Sequence, residues 1–133
     1  MKYVTGIYAL NIEDSTECCG DWHTSGIRWE NMKLYESDDS IFKDYDIELN
    51  KSVLTYDDLF NVANTLRAIL DLMERNERLG WLKGFRNDFI CTDIYNQEFF
   101  ENVKKLKGVD HWSEIDLLMK REFMWVWDKF RGV

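Results

Sequence analysis

The sequence predicts an α+β domain, with a small N-terminal antiparallel sheet of about three strands packed on four C-terminal helices. Three observations carry this. Short β-branched and aromatic stretches occupy the first 50 residues, apolar residues recur at helical spacing after residue 55, and no internal repeat or low-complexity segment interrupts the 133-residue chain. A chain of this length is most simply one domain, residues 1–133, with an acidic β-rich part (1–55) and a helical part (56–133).

Residues 3–12 (Tyr-Val-Thr-Gly-Ile-Tyr-Ala-Leu-Asn-Ile) read as a first strand. Glu13 to Gly26 is polar and small and reads as a long loop. Residues 27–35 alternate imperfectly and suggest a second strand. Residues 44–49 alternate strictly, which puts Tyr45, Ile47 and Leu49 on a buried face and Asp44, Asp46 and Glu48 on the other. Three like charges on one strand face repel, and a basic partner would relieve them.

Thr55 with Asp58 resembles a helix cap, followed by the stripe Leu59, Val62, Ala63, Leu66, Ile69, Leu70 and Met73. A second helix is expected over 78–89, burying Leu82, Phe85 and Phe89. A third runs from Asn96 to a stop at Gly108, burying Phe99, Val103 and Leu106. Asp110 caps a fourth, to about residue 130, with Trp112, Ile115, Met119, Phe123, Val126 and Phe130 as its stripe. Phe123-Met-Trp-Val-Trp127 covers more than half the circumference of that helix. Either two of its faces are buried in the domain, or one is a contact surface. In the second case Trp125 and Trp127 are the candidate contacts of a homodimer.

The net charge of −8 belongs wholly to residues 1–58, which carry 13 Asp/Glu against 5 Lys/Arg; residues 59–133 carry 12 of each. Most of the excess lies in Glu36-Ser-Asp-Asp-Ser-Ile-Phe-Lys-Asp-Tyr-Asp-Ile-Glu48. Such an asymmetry points to a basic protein surface as partner, and away from nucleic-acid phosphates and anionic lipid. The expected partner-binding residues are Glu36, Asp38, Asp39, Asp44, Asp46 and Glu48, with Tyr35, Phe42 and Tyr45 as aromatic anchors. The spacing of these acids does not match a helix–loop–helix calcium loop, and no glycine falls inside the run.

There is no apolar run long enough for a membrane-spanning helix, and the first ten residues do not read as a signal peptide. The expectation is a cytoplasmic protein of bacterial or phage origin. Three cysteines, Cys18, Cys19 and Cys91, argue for reduced thiols rather than a disulfide framework.

The densest chemical constellation is Cys18-Cys-Gly-Asp-Trp-His23. If the chain is an enzyme, Cys18, Cys19, Asp21 and His23 are the candidate catalytic residues, as a thiol nucleophile with a base and an orienting carboxylate. As a metal site it is poor, because adjacent cysteines rarely chelate one ion and a fourth ligand would have to come from distant Cys91 or His111. The blander alternative is a turn at Gly20 with Asp21 bonding local backbone and Trp22 packing. No cofactor is expected. There is no Gly-rich phosphate loop, and Lys104, Lys105 and Lys107 form too small a patch for nucleic acid.

Thr5-Gly-Ile-Tyr-Ala-Leu-Asn11, Cys19-Gly-Asp-Trp-His23 and Arg86-Asn-Asp-Phe-Ile90, in that order, resemble a family of small uncharacterised bacterial proteins. The resemblance spans most of the chain and implies a bacterial or phage origin. It brings no activity, cofactor or partner, and no residue role. The functional expectation from the residues is a non-catalytic acidic protein that binds and inhibits a basic partner, as antitoxins, immunity proteins and phage anti-defence inhibitors do. The alternatives are a small thiol- or metal-dependent enzyme and a homo-oligomeric structural protein.

Overall fold

The computed structural model describes residues 1–16, 27–88 and 93–132. It is an α+β fold with a four-stranded sheet rather than three strands. Cys18, Cys19, Asp21, His23, Cys91 and Phe89 lie outside the described residues. The chain divides into two compact units, Met1–Asp71 and Leu72–Val133.

The first unit holds the sheet: β1 (Lys2–Val4), β2 (Leu34–Glu36), β3 (Ile47–Ser52) and β4 (Leu59–Ala63), in spatial order β2-β1-β4-β3. β1 pairs antiparallel with β2 (Tyr3 opposite Tyr35) and parallel with β4 (Val4 opposite Val62); β3 and β4 are antiparallel. The sheet is therefore mixed, not purely antiparallel. The first strand ends at Val4 because Gly6 takes a positive φ of 63°, open to glycine, and the chain coils into α1 (Gly6–Ala9). Residues 27–35 are not one strand: a 3-10 turn, Trp29–Asn31, precedes the short β2.

The expected helix from Thr55 is corrected most. Thr55 sits in a turn at φ 72°, and Leu59–Ala63 is strand. Spacings of three and one suit a helix stripe, but Leu59-Phe-Asn-Val-Ala63, apolar except for Asn61, suits a central strand equally well, and pairing on both sides decides. The helix α2 (Thr65–Arg75) starts after Asn64. The Asn64 Oδ1 accepts from the Arg67 N–H at 2.9 Å, and Asp14 accepts from the Thr65 N–H and, at 2.7 Å, from its hydroxyl. A short polar side chain bonding the first free N–H groups is what sets a helix start.

The second unit is helical: α3 (Phe85–Asp88), α4 (Asn96–Lys104), α5 (Trp112–Phe123) and α6 (Trp125–Arg131). The 78–89 helix is broken, with a 3-10 turn at Leu79–Leu82 following left-handed Arg78, and Gly84 at φ 87° before α3. The third helix appears at its expected place, and its last turn, Lys105–Gly108, tightens to 3-10. The expected 110–130 helix splits at Met124 (φ 53°, ψ −130°). Phe85, Phe99, Phe100 and Phe123 meet edge-on or tilted, with centroids 4.8–6.2 Å apart, and Trp127 joins Phe100 at 5.4 Å. These are geometries that the ring quadrupoles favour. The Trp127 Nε1–H donates to Asp116 Oδ1 at 2.8 Å, so its polar tip is satisfied in the core.

Candidate interaction surface

The division into units sharpens the charge asymmetry. Met1–Asp71 carries 14 Asp/Glu and 6 Lys/Arg, while Leu72–Val133 carries 11 of each. The acidic segment lies between β2 and β3, where the chain runs through a 3-10 turn, Ser37–Asp39, and a series of tight turns. Lys43 and Asp46 hold positive φ angles of 48° and 54° there.

Ser37 organises the segment. It is fully buried, its N–H donates to the Met1 carbonyl at 2.9 Å, and its hydroxyl donates to Asp44 Oδ1 at 2.5 Å. Glu36 and Asp38 flank Ser37 in the chain, and the hydroxyl draws Asp44 to the same place. Glu36, Asp38, Asp39 and Asp44 are all exposed there. Two cations reach the cluster: Lys43 directs its ammonium to the Asp38 carbonyl at 2.7 Å, and the Met1 ammonium donates to the Ser37 hydroxyl at 3.1 Å and lies 3.4 Å from Glu36 Oε2. Ile41, absent from the sequence-based reading, is 50% exposed beside these acids.

Beneath the turn lies a buried ionic network. Arg67, with no exposed surface, donates from Nε to Asp71 Oδ1 at 2.8 Å, from Nη1 to the Tyr45 carbonyl at 2.6 Å and from Nη2 to the Tyr3 hydroxyl at 3.1 Å. The other Asp71 oxygen accepts from the hydroxyls of Tyr3 (2.6 Å) and Thr5 (2.7 Å). The guanidinium also lies over the rings of Tyr3 and Phe42, 5.1 and 5.7 Å from their centroids. Burial, and then the neighbouring Asp71 carboxylate, push the Tyr3 phenol well above its ordinary value, so it stays protonated and keeps donating. Through Tyr45 and Phe42, this network ties the acidic turn to β1 and α2.

Not every acid expected at the surface is there. β3 begins at Ile47, so Asp44 and Asp46 precede the strand, and the predicted outer face of Asp44, Asp46 and Glu48 does not form. Asp46 is half-buried. Glu48 accepts from Ser15 N–H (3.0 Å) and hydroxyl (2.7 Å) and from the Lys51 ammonium (2.9 Å). Partial burial opposes its ionisation, but the hydrogen bonds from Lys51 and Ser15 outweigh that and hold its carboxyl below the ordinary glutamate value. Of the three expected anchors, Phe42 is buried against Arg67, and Tyr35 and Tyr45 are half-buried.

Leu49 does not face inward as alternation predicted. The β3–β4 register slips between Glu48 and Lys51, and Asn50 turns at φ 56°, which leaves Leu49 exposed with Leu54 and Leu59. Trp127, expected as an oligomer contact, is buried; Trp125 is 69% exposed. His111 Nε2 lies 2.6 Å from the Met73 carbonyl, a structural bond. Among the described residues, no group of three or more His, Cys, Asp or Glu is placed to hold a metal ion, and no helix is long and apolar enough to cross a membrane.

Comparison with protein-family models, with curated proteins and with solved structures found no match. The functional reading therefore rests on this chain's own residues.

Proposed function

We propose that this chain is a non-catalytic interaction protein that binds and inhibits a basic partner protein, in the manner of antitoxins, immunity proteins and anti-defence inhibitors. One observation supports it above the rest: Glu36, Asp38, Asp39 and Asp44 are exposed together around a buried serine, on a unit that carries the whole net charge of −8. A turn anchored through Ser37 presents the four carboxylates to a Lys/Arg patch with less loop entropy left to lose on binding. Their joint field speeds encounter and disfavours acidic partners. Ile41, at the edge of the cluster, supplies the apolar contact that slows release.

The test replaces Glu36→Gln, Asp38→Asn and Asp39→Asn together and leaves Asp44, whose oxygen Ser37 holds. Tagged wild-type and triple-variant proteins are used to capture partners from source-cell or host lysate at about 50 and 500 mM salt, which bracket weak and strong screening. A basic protein held by wild type at low salt, and released both by high salt and by the triple variant, supports the proposal. A partner held equally by both proteins, or no basic partner at all, refutes it.

A further inference from the structure

We infer that the basic partner adds a strand to the outer edge of β2, with Lys or Arg at alternate positions of that strand, a step that rests on the function proposed above. The ladder register decides which main-chain groups face outward. The Ser37 N–H donates to the Met1 carbonyl at 2.9 Å, so Met1 and Ser37 form a hydrogen-bonded pair of the antiparallel ladder. Such pairs alternate, and the next is Tyr3 with Tyr35. Lys2–Glu36 and Val4–Leu34 are then the non-hydrogen-bonded pairs.

The Leu34 N–H and carbonyl and the Glu36 N–H therefore point away from β1, and β2 is the last strand on that side of the sheet. Among the described residues, no hydrogen bond reaches these groups. A sheet edge of this kind takes up an added strand through its main chain. The opposite edge, β3, is interrupted by its register slip and by Asn50 at φ 56°.

Charge selects the occupant. Residues of the added strand that pair with Leu34 and Glu36 put their side chains on the same face as these two, which are both exposed. A Lys or Arg opposite Glu36 meets a carboxylate that is 46% exposed and has the Met1 ammonium 3.4 Å away on its other side. Lys2 lies on β1, one strand further from the incoming chain. The next basic residue on one side lies along Leu34, 40% exposed, with its alkyl stem. On the other side the strand runs on past Ser37 toward Asp38 and Asp39. A second copy would instead oppose −8 to −8, and a nucleic acid would bring phosphates to carboxylates. A three-residue edge offers few main-chain bonds, so the edge fixes register and the charges add affinity.

The test follows a fluorescent peptide, Lys-Thr repeated about five times, by anisotropy with the full chain at about 50 mM salt. Two derivatives keep its charge: one is methylated on the backbone nitrogen of every lysine, the other on that of every threonine. Methyls at the lysines block the strand edge that would meet β2 with lysines beside Glu36; methyls at the threonines leave that edge open. The threonine-methylated peptide should bind like the parent, and the lysine-methylated one at least about tenfold more weakly, since its main-chain bonds are lost. Leu34→Pro keeps the charge, removes one outward N–H and leaves the Tyr3–Tyr35 pair in place, so it should weaken the parent peptide too. Should Leu34→Pro not fold by circular dichroism, the methylated peptides decide with wild type alone. Equal binding of all three peptides, or unchanged binding by folded Leu34→Pro, overturns the added strand while leaving charge-driven capture of a partner, which the triple variant tests separately. No binding of the parent peptide overturns it as well. So does a dimer that forms without peptide and is dissolved by Leu34→Pro, because a second copy then occupies the edge.

Discussion

Replacing Asp71 by asparagine removes the only carboxylate that faces buried Arg67 in the described network. Both Asp71 oxygens accept there, Oδ1 from Arg67 and Oδ2 from Tyr3 and Thr5. An asparagine offers one accepting oxygen, and its amide nitrogen would point a donor at a donor. The guanidinium keeps its Tyr45 carbonyl and its two rings but loses its counter-charge at 0% exposure. Breaking a buried pair from one side costs about 3–5 kcal/mol. For a chain of this length each kcal/mol lowers the melting temperature by roughly 3–4 °C, so Asp71→Asn should melt roughly 9–20 °C below wild type. Urea titration followed by circular dichroism is the assay, and the midpoint should fall with the slope unchanged. A loss below about 1 kcal/mol would refute the reasoning, because it would mean that water reaches the pair and screens it.

Two further perturbations follow from the same geometry. Glu48 has a folded-state carboxyl below its ordinary value of 4.5, so its contribution is complete above that value and is lost as pH falls through the lower folded value. Glu48→Gln should therefore melt below wild type at pH 7, and the gap should close toward pH 3; a gap that stays constant over that range contradicts the assignment. Met124→Gly should raise stability by about 1 kcal/mol, since glycine accepts the backbone conformation and the lost side chain is mostly exposed; destabilisation in urea would show that no strain resides there.

The fold class and the helix at Asn96–Lys104 were legible because composition and periodicity agree there. The charge asymmetry was legible from counting alone. The start of α2 was not, since Leu59, Val62 and Ala63 satisfy both a helical stripe and a central strand, and only the neighbours β1 and β3 decide. The acidic face was misplaced by one turn and one bulge. Positive φ at Lys43, Asp46 and Asn50 ends the alternation that the letters display, which moves Leu49 outward and leaves Asp46 half-buried. Arg67 and Asp71 did carry a signal, as opposite charges four apart in a helix, but that spacing usually marks a solvated pair. Their burial depends on Tyr3, Thr5 and Tyr45, which are distant in sequence. The five apolar residues ending at Trp127 posed a choice between two buried faces and a contact face, and the break at Met124 divides them between core and surface.

The central claim is that the carboxylates around Ser37 recognise a basic protein. The most direct measurement is the salt dependence of affinity for the captured partner, by calorimetry, with wild type and with the Glu36→Gln/Asp38→Asn/Asp39→Asn variant. The account predicts affinity that falls steeply with salt for wild type, and a weaker and flatter dependence for the variant at unchanged melting temperature. Equal affinities with equal salt slopes would contradict it.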